Sequence, residues 1–515
     1  TDTVIRTCGR NCENLNLRCT VHSISIEEKT QLRARTKSMK AARFIELYSK
    51  EIEAGTAAIF AGAGLSRSAG FVDWRGLLKG IADELGLDID RETDLISVAQ
   101  FHVNRHGGNR GHLNKAILEE FPVDKTPTEK HRLLSRLPIS TWWTTNYDKL
   151  IERALETEER IPDIKYDIKQ LAHSKPRRDV TLYKMHGDID HPASAIITRD
   201  DYESYAHERG LFLDVLAGDL ISKTFLFIGF SFTDPNFSQV LSRIRVRLRD
   251  NQRPHYAIFK GTDRKDFDCD EDFDYEKNKQ SLLLEDLRRF NINPVIVDTY
   301  EEIDKIIEEI YRKFVSKYVF VSTSAADFSP WGESSVTKFM AKLGALITER
   351  GFRIVTGVGL GTGNAVMDGA IVAITSDAQK RLNEHILIRP FPHYAVAPEH
   401  REKAWHSYRE DMIGRAGIAI FLFGNKETPD GIGPATGMIK EFEIARSRRV
   451  VVLPVGGTQS VSATLFNKVL EDEELQFGIS PKALKILKSI ADPVDDLDRL
   501  LEPVLSLLEE VRGNG

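Results

Sequence analysis

Short runs of consecutive apolar residues, each closed by glycine or a polar turn, alternate along this chain with stretches whose apolar residues recur every three or four positions. The apolar runs are AAIFA before Gly62, ISTWW (139–143), VTLYKMHG (180–187), KTFLFIGFSF (223–232), PHYAIFK (254–260) and NPVIVD (293–298). Their length and branched or aromatic content predict strands buried on both faces. Between them lie helical patterns. Over 38–54, Ala41, Phe44, Ile45, Tyr48 and Ile52 fall on one face, and Gly55 stands where a helix C-terminus turns. Over 301–314, Ile303, Ile306, Ile307, Ile310, Tyr311 and Phe314 form one apolar stripe. The alternation then restarts: YVFVSTS (318–324), a helix over 334–351, FRIVTGVGLGTGNAV, HILIRPFP, AGIAIFLFG and RVVVLPVGG.

Strands alternating with helices predict parallel, doubly wound sheets. The expected fold is α/β, two doubly wound parallel-sheet (Rossmann-like) domains in tandem. The expected divisions are an N-terminal extension over 1–37, a first domain over 38–300, a linker helix over 301–316 and a second domain over 317–515. The helix over 301–314 is expected to pack at the domain junction, within one chain or between chains of a homo-oligomer.

Composition narrows the function. The 515 residues include 71 Lys+Arg and 77 Asp+Glu, a net charge of −6, which argues against a chain built to coat nucleic acid. No run approaches the ~18 apolar residues of a membrane span, and no apolar leader is visible, so no membrane partner and a cytoplasmic location are expected. Cys8, Cys12, Cys19 and Cys269 are the only cysteines, too few for a disulfide scaffold. The first three cluster as CGRNCENLNLRC with His22 nearby, but lack the paired spacing of a zinc module, and no metal is expected.

The chemistry begins at Gly62-Ala63-Gly64-Leu65-Ser66, between a strand and a helix. A glycine turn there lets the backbone approach a diphosphate at a helix N-terminus. Alone, it is only a tight turn. Its companions sharpen it: GAGLSRSAGFVDWRG is followed by TTNYD (144–148), KMHGD (184–188) and GFSFTDPN (229–236). This ordered set, over about 41–300, resembles the sirtuin family. The resemblance implies NAD+ as substrate, with Gly62, Ala63, Gly64 and Ser66 at its diphosphate. Asp73 and Arg75 would close over the nicotinamide ribose, and Gly229, Ser231 and Asp234 would bind the adenosine ribose. Asn146 and His186 would be catalytic, the first holding the ribose or a water, the second acting as base at the sugar hydroxyls.

One family part is missing. Protein deacylases of this family carry a zinc module with two CxxC pairs between the catalytic histidine and the second glycine turn. Here residues 187–228 contain no cysteine. Hydrolysis of NAD+ with water as acceptor is therefore expected, ahead of an NAD-dependent deacylase or a non-catalytic nucleotide sensor.

The second glycine loop, TGVGLGTGNAV, places Gly357, Gly359, Gly361 and Gly363 between strand and helix. Ser322, Thr323 and Ser324 end the preceding strand, where ligands bind in such sheets. Residues 317–515 resemble the SLOG nucleotide-sensor superfamily. Some of its members are phosphoribohydrolases with a PGGxGTxxE motif. Here the matching strand end reads LPVGGTQSVS (453–462), without the glutamate, so binding is expected rather than hydrolysis. A sirtuin-like domain followed by a SLOG domain resembles the Thoeris anti-phage effectors of bacteria. That resemblance implies a TIR-domain partner protein making a cyclic ADP-ribose isomer, which binds the second domain and switches on NAD+ destruction. It assigns the activator to Ser322, the loop glycines, Arg409, Lys426 and Glu441, and favours a tetramer.

Overall fold

The computed structural model describes residues 39–121, 125–358, 362–378, 381–388 and 398–513. The extension with Cys8, Cys12 and Cys19, and the loop glycines Gly359 and Gly361, lie outside the described residues.

The first domain is a seven-stranded sheet of β1 (Ala57–Ala61), β2 (Thr141–Thr144), β3 (Pro162–Lys165), β4 (Val180–Lys184), β5 (Thr224–Ile228), β6 (His255–Lys260) and β7 (Ile292–Val297). Its order is β3-β4-β2-β1-β5-β6-β7, and neighbouring strands run parallel. β1 and β5 are buried at every position, which is why they read as unbroken apolar runs. Alternate side chains serve opposite faces. Ile59, Ala61, Trp142, Leu226 and Ile228 pack under helices Ala41–Glu53 and Tyr300–Val315. Ala58, Phe60, Trp143, Phe225 and Phe227 pack under Gly210–Ser222 and Pro235–Leu248. A third cluster joins helices Trp74–Leu85, Leu95–Arg105 and Gly111–Glu120 through Leu78, Val98 and Leu113, and includes Phe121 and Tyr147.

One strand has no apolar run to announce it: β3, PDIK, starts with proline and carries Asp163 and Lys165, which pair at 2.8 Å, as an edge strand permits. Of the two packings expected for the helix at the junction, the one within the chain is seen. Tyr300–Val315 buries Ile303, Ile306, Ile307 and Ile310 in the core of the first domain. Four such side chains, each worth about 1.5–3 kcal/mol on burial, make it part of that domain, and its apolar stripe is covered within the chain.

The second domain follows directly, with the Gly417 N–H on Val315 O at 2.9 Å. β8 (Tyr318–Ser324), β9 (Arg353–Thr356), β10 (Ile386–Ile388), β11 (Ile418–Phe423) and β14 (Val451–Pro454) form a parallel sheet of order β10-β9-β8-β11-β14. β12 (Asn425–Thr428) and β13 (Gly431–Pro434) form a small antiparallel hairpin that the sequence reading missed. The tandem pair of doubly wound sheets is thus present. No helix among the described residues is long and apolar enough to cross a membrane.

Candidate active site and sensor site

From β1 the chain winds outward to β2 on one side, and after β5 to β6 on the other. The reversal opens a crevice at the strand C-termini, where doubly wound sheets bind ligands. The loops after β1, β2, β4 and β5 meet there.

The glycines of the first loop hold a seam between two turns. The Gly62 N–H donates to Ile228 O and the Gly64 N–H to Gly229 O, both at 2.9 Å. A Cβ on Gly62 would lie 2.4 Å from Gly229 O. One on Gly229, whose φ is +63°, would lie 2.4 Å from Leu65 N. Only glycine permits that contact. These two amides are committed to the seam, so Ala63 and Ser66 are the loop residues that line the narrow cavity in front of it. Asp73, Trp74, Phe121, Asn146, Tyr147 and Asp148 line it too.

Asn146 is buried in the cavity wall. Its Nδ2 donates to Gly62 O at 3.1 Å and to Ser66 Oγ at 2.9 Å, and Ser66 Oγ donates to Asp148 Oδ2 at 2.7 Å. This relay fixes the amide plane and leaves Asn146 Oδ1 buried with no partner.

His186 stands beside the cavity, its ring 6.5 Å from Tyr147 and 5.6 Å from Tyr202. Its Nε2 is 2.8 Å from Asp234 Oδ2. Asp234 caps helix Pro235–Leu248 by accepting the Phe237 N–H at 2.7 Å, and the Tyr202 hydroxyl donates to it at 3.4 Å. Burial raises the Asp234 carboxyl, but His186, the Phe237 amide and Tyr202 outweigh it and leave the group below its usual range. An ionised carboxylate on Nε2 favours the proton there, the tautomer whose lone pair is on Nδ1, and Nδ1 is buried without a partner.

Asp234 was expected at the adenosine ribose; here its oxygens serve His186 and the helix cap. Ser231 is exposed, 2.7 Å from Thr233 Oγ1. Asp73 caps helix Trp74–Leu85 through the Gly76 N–H at 3.0 Å, at the cavity edge. The Arg75 guanidinium donates to Ile89 O and, at 3.1 Å, to Glu92 O, so in this structure it clamps the following loop.

Three contributors were missed. Asp148 ends the TTNYD motif but received no role. Tyr202 gives no sequence signal. Lys184, fully buried, donates to Tyr147 O, Asp148 O, Glu152 and Asp188 at 2.7–3.0 Å, tying the loop after β2 to that after β4. Burial lowers its pKa, but the two carboxylates outweigh that and hold it above the usual lysine value.

In the second domain, Ser322 at the end of β8 donates to Glu441 Oε2 at 2.6 Å. Arg409 Nε lies 3.4 Å from Glu441 Oε1. Arg409 and Glu441 are only 6% and 9% exposed. Burial lifts the Glu441 carboxyl above its usual range, partly offset by Ser322 and Arg409. Lys426, on β12 and half-buried, donates to Thr436 Oγ1 at 2.9 Å, at the start of the helix that carries Glu441. Gly357 follows β9, and Gly363 opens the next helix with room for no Cβ, since one would meet Val358 C at 2.7 Å.

Comparison with known proteins finds a family model in each half of the chain. The model of the SIR2-like domain family matches residues 140–284, and that of the Sir2- and TIR-associating SLOG family matches 302–511. NAD(+) hydrolase ThsA of Bacillus cereus (strain MSX-D12) is 41% identical over 467 residues, 90% of this chain and 97% of that protein. NAD(+) hydrolase ThsA of Acinetobacter baumannii (strain 532279) is 42% identical over 90% of this chain and 98% of its own length. Defense-associated sirtuin 2 of Bacillus subtilis is 23% identical over 51% of this chain and 26% of its own. Identity at this level along nearly the whole length of both chains, through both domains, shows that the chain belongs to the NAD(+) hydrolase ThsA family.

Proposed function

We propose that this chain hydrolyses NAD+ to nicotinamide and ADP-ribose in the first domain, and that a cyclic ADP-ribose isomer bound to the second domain turns the reaction on. The observation that carries the reading is the pair of buried acceptors, Asn146 Oδ1 and His186 Nδ1, left unpartnered beside the crevice between β1 and β5. Breaking the nicotinamide–ribose bond builds positive charge on the sugar ring. Asn146 Oδ1 accepts from a ribose hydroxyl or the attacking water and fixes its approach. His186 Nδ1 takes the proton released, and Asp234 stabilises the imidazolium that forms. The bond between C1′ and the nicotinamide nitrogen breaks, its electron pair leaves with nicotinamide, and water oxygen bonds to C1′. The names of the relatives support NAD+ as substrate. The missing cysteine pairs disfavour an acyl-lysine groove.

In the second domain, Arg409 and Lys426 meet the activator's diphosphate and Glu441 its ribose. The matched family, described as associating with Sir2 and TIR, supports a TIR-domain protein as its source. NAD+ depletion would then end infection in the bacterial cytoplasm. The working unit is a homo-oligomer, with a tetramer favoured. The test is to incubate purified protein with NAD+, with and without cyclic ADP-ribose isomers, and to resolve products by chromatography. Nicotinamide and ADP-ribose in equal amounts, released faster with one isomer, are expected. Acyl-lysine-dependent nicotinamide release, or intact NAD+ under every condition, would overturn the reading.

A further inference from the structure

Away from the crevice, the helices that cap it bring three metal-ligating side chains together. Glu84 lies in the last turn of helix Trp74–Leu85. His102 lies on helix Leu95–Arg105, and His106, four residues on, caps it. That spacing puts both imidazoles on one face. His102 Nε2 is 3.0 Å from Glu84 Oε2, and His106 Nε2 is 2.9 Å from Glu84 Oε1. One ligating atom from each of the three residues falls within 4.8 Å of the others. His102 is 1% exposed, so its ring is fixed by the core, whereas the Glu84 side chain is 49% exposed and leaves an entry path.

We infer that Glu84, His102 and His106 form a binding site for one divalent transition cation of the zinc class, clamping helix Trp74–Leu85 to helix Leu95–Arg105. Two imidazoles and a carboxylate are a donor set that suits zinc and its neighbours. The two imidazoles approach different oxygens of Glu84, and one donor from each residue lies within 4.8 Å of the others, against an edge of roughly 3.4 Å for a tetrahedron with bonds of about 2.1 Å, so the three donors draw together around a single ion. Three protein ligands leave a position for water. The His112 ring stacks on His106 at 4.3 Å and limits its swing. His102 Nδ1 is buried with no partner to raise the ring's basicity, so affinity should fall about 10–100-fold below a fully supported site. The clamp lies at the far end of the helix whose start places Asp73 and Trp74 at the cavity.

The site is tested on the full-length, tag-free, chelator-treated chain titrated with Co2+, then Zn2+. One equivalent of cobalt should produce visible ligand-field bands without a thiolate-to-cobalt charge-transfer band, and zinc should displace it. The charge-transfer band reports the alternative destination, Cys8, Cys12 and Cys19. Glu84→Gln and His106→Gln change partly exposed side chains, so the fold should survive, as circular dichroism will check. Each should weaken binding at least about tenfold and abolish any zinc-induced rise in melting temperature. No cobalt bound by folded wild type, only a thiolate spectrum, or affinity unchanged in both variants would overturn the site. The readout is independent of NAD+ turnover.

Discussion

The two proposed ligand sites occupy equivalent places, each at the C-terminal edge of a parallel sheet, yet their polar groups are treated oppositely. In the first domain Asn146 Oδ1 and His186 Nδ1 are buried without partners. Leaving such a group unpaired costs about 1–3 kcal/mol, a cost that substrate binding can offset. In the second domain Ser322, Arg409 and Glu441 already satisfy one another. A site with waiting acceptors is organised for a reaction, whereas a ligand entering the second site would displace contacts already made, giving that site, under the proposed function, one arrangement with ligand and another without. A ligand favouring one arrangement shifts the population toward it, as a sensor requires.

The sharpest way to break this comparison is to remove the waiting acceptors. Asn146→Ala and His186→Ala should each lower nicotinamide release by about 10²–10⁴-fold, the usual worth of a positioning hydrogen bond in the first and a proton-transfer group in the second, with the activator's midpoint unchanged. Asp234→Asn should lose part of that rate, because an amide on Nε2 no longer fixes the tautomer. Chromatographic assay at saturating activator, with circular dichroism to check folding, decides. Near wild-type turnover in the alanine variants would remove the distinction between the two sites.

Acid should separate the domains next. Burial, reinforced by Arg253, lowers His255 to about 3, and burial, reinforced by Lys130 and opposed by Asp148, lowers His131 to about 4. Both belong to the first domain. A histidine whose folded value lies below its unfolded one binds fewer protons when folded. Its stabilisation is therefore present above pH ~6.5 and is lost as pH falls toward the lowered value. Each group's loss approaches about 1.4 kcal/mol per pH unit once the unfolded histidine is mostly protonated, so the pair loses about 3 kcal/mol between pH 6.5 and 5. In the second domain His406 faces solvent. Calorimetry at pH 7.5 and 5 should show the first domain's transition moving down much further than the second's. Equal shifts would contradict the assignment.

How far the sequence exposes each site follows from the same physics. The buried strands are legible because burial on both faces demands unbroken apolar runs. The edge strand β3 and the hairpin β12–β13 are not, because Asp163, Lys165, Asn425 and Lys426 show no such pattern. Asn146 and His186 are legible only because their motifs stand in order with the glycine loop. The partnership of Asp234 with His186 is not, since 48 residues separate them and only the crossing of β4 and β5 loops joins them. Nor is Lys184, an inward-pointing lysine in a strand that otherwise reads as apolar. Glu84, His102 and His106 escape for a similar reason, being united by helix packing.

Smaller shifts are expected in the sensor site. Arg409→Ala removes a charge-assisted contact worth about 1.5–3 kcal/mol, so the activating concentration should rise roughly ten- to a hundredfold. Lys426→Ala, at a half-buried and partly screened position, should lie at the lower end, and Glu441→Gln should raise the midpoint about tenfold by weakening the ribose contact. Saturating ligand should restore full turnover, because the first domain is untouched. If Glu441→Gln instead lowered the midpoint, the carboxylate would be a stand-in for the ligand's anion on Arg409. An unchanged midpoint in all three would move the sensor pocket elsewhere.

The smallest effect belongs to Arg75, and it tests whether the described arrangement is the one that works. The sirtuin resemblance places this residue over the nicotinamide ribose; the structure gives its guanidinium to the carbonyls of Ile89 and Glu92. Arg75→Ala then removes hydrogen bonds that pin one turn, each worth about 0.5–1.5 kcal/mol. The first domain's melting temperature should fall by a few degrees, and turnover should stay within about twofold. Arg75→Lys should recover little of that stability, since an ammonium lacks the planar fork that spans two carbonyls. The measurement is steady-state nicotinamide release beside thermal unfolding. A loss of a hundredfold or more in rate, with stability unchanged, would mean that the guanidinium leaves the loop and meets substrate in the activated enzyme. The first site would then also have two arrangements, and the contrast with the sensor would be one of degree.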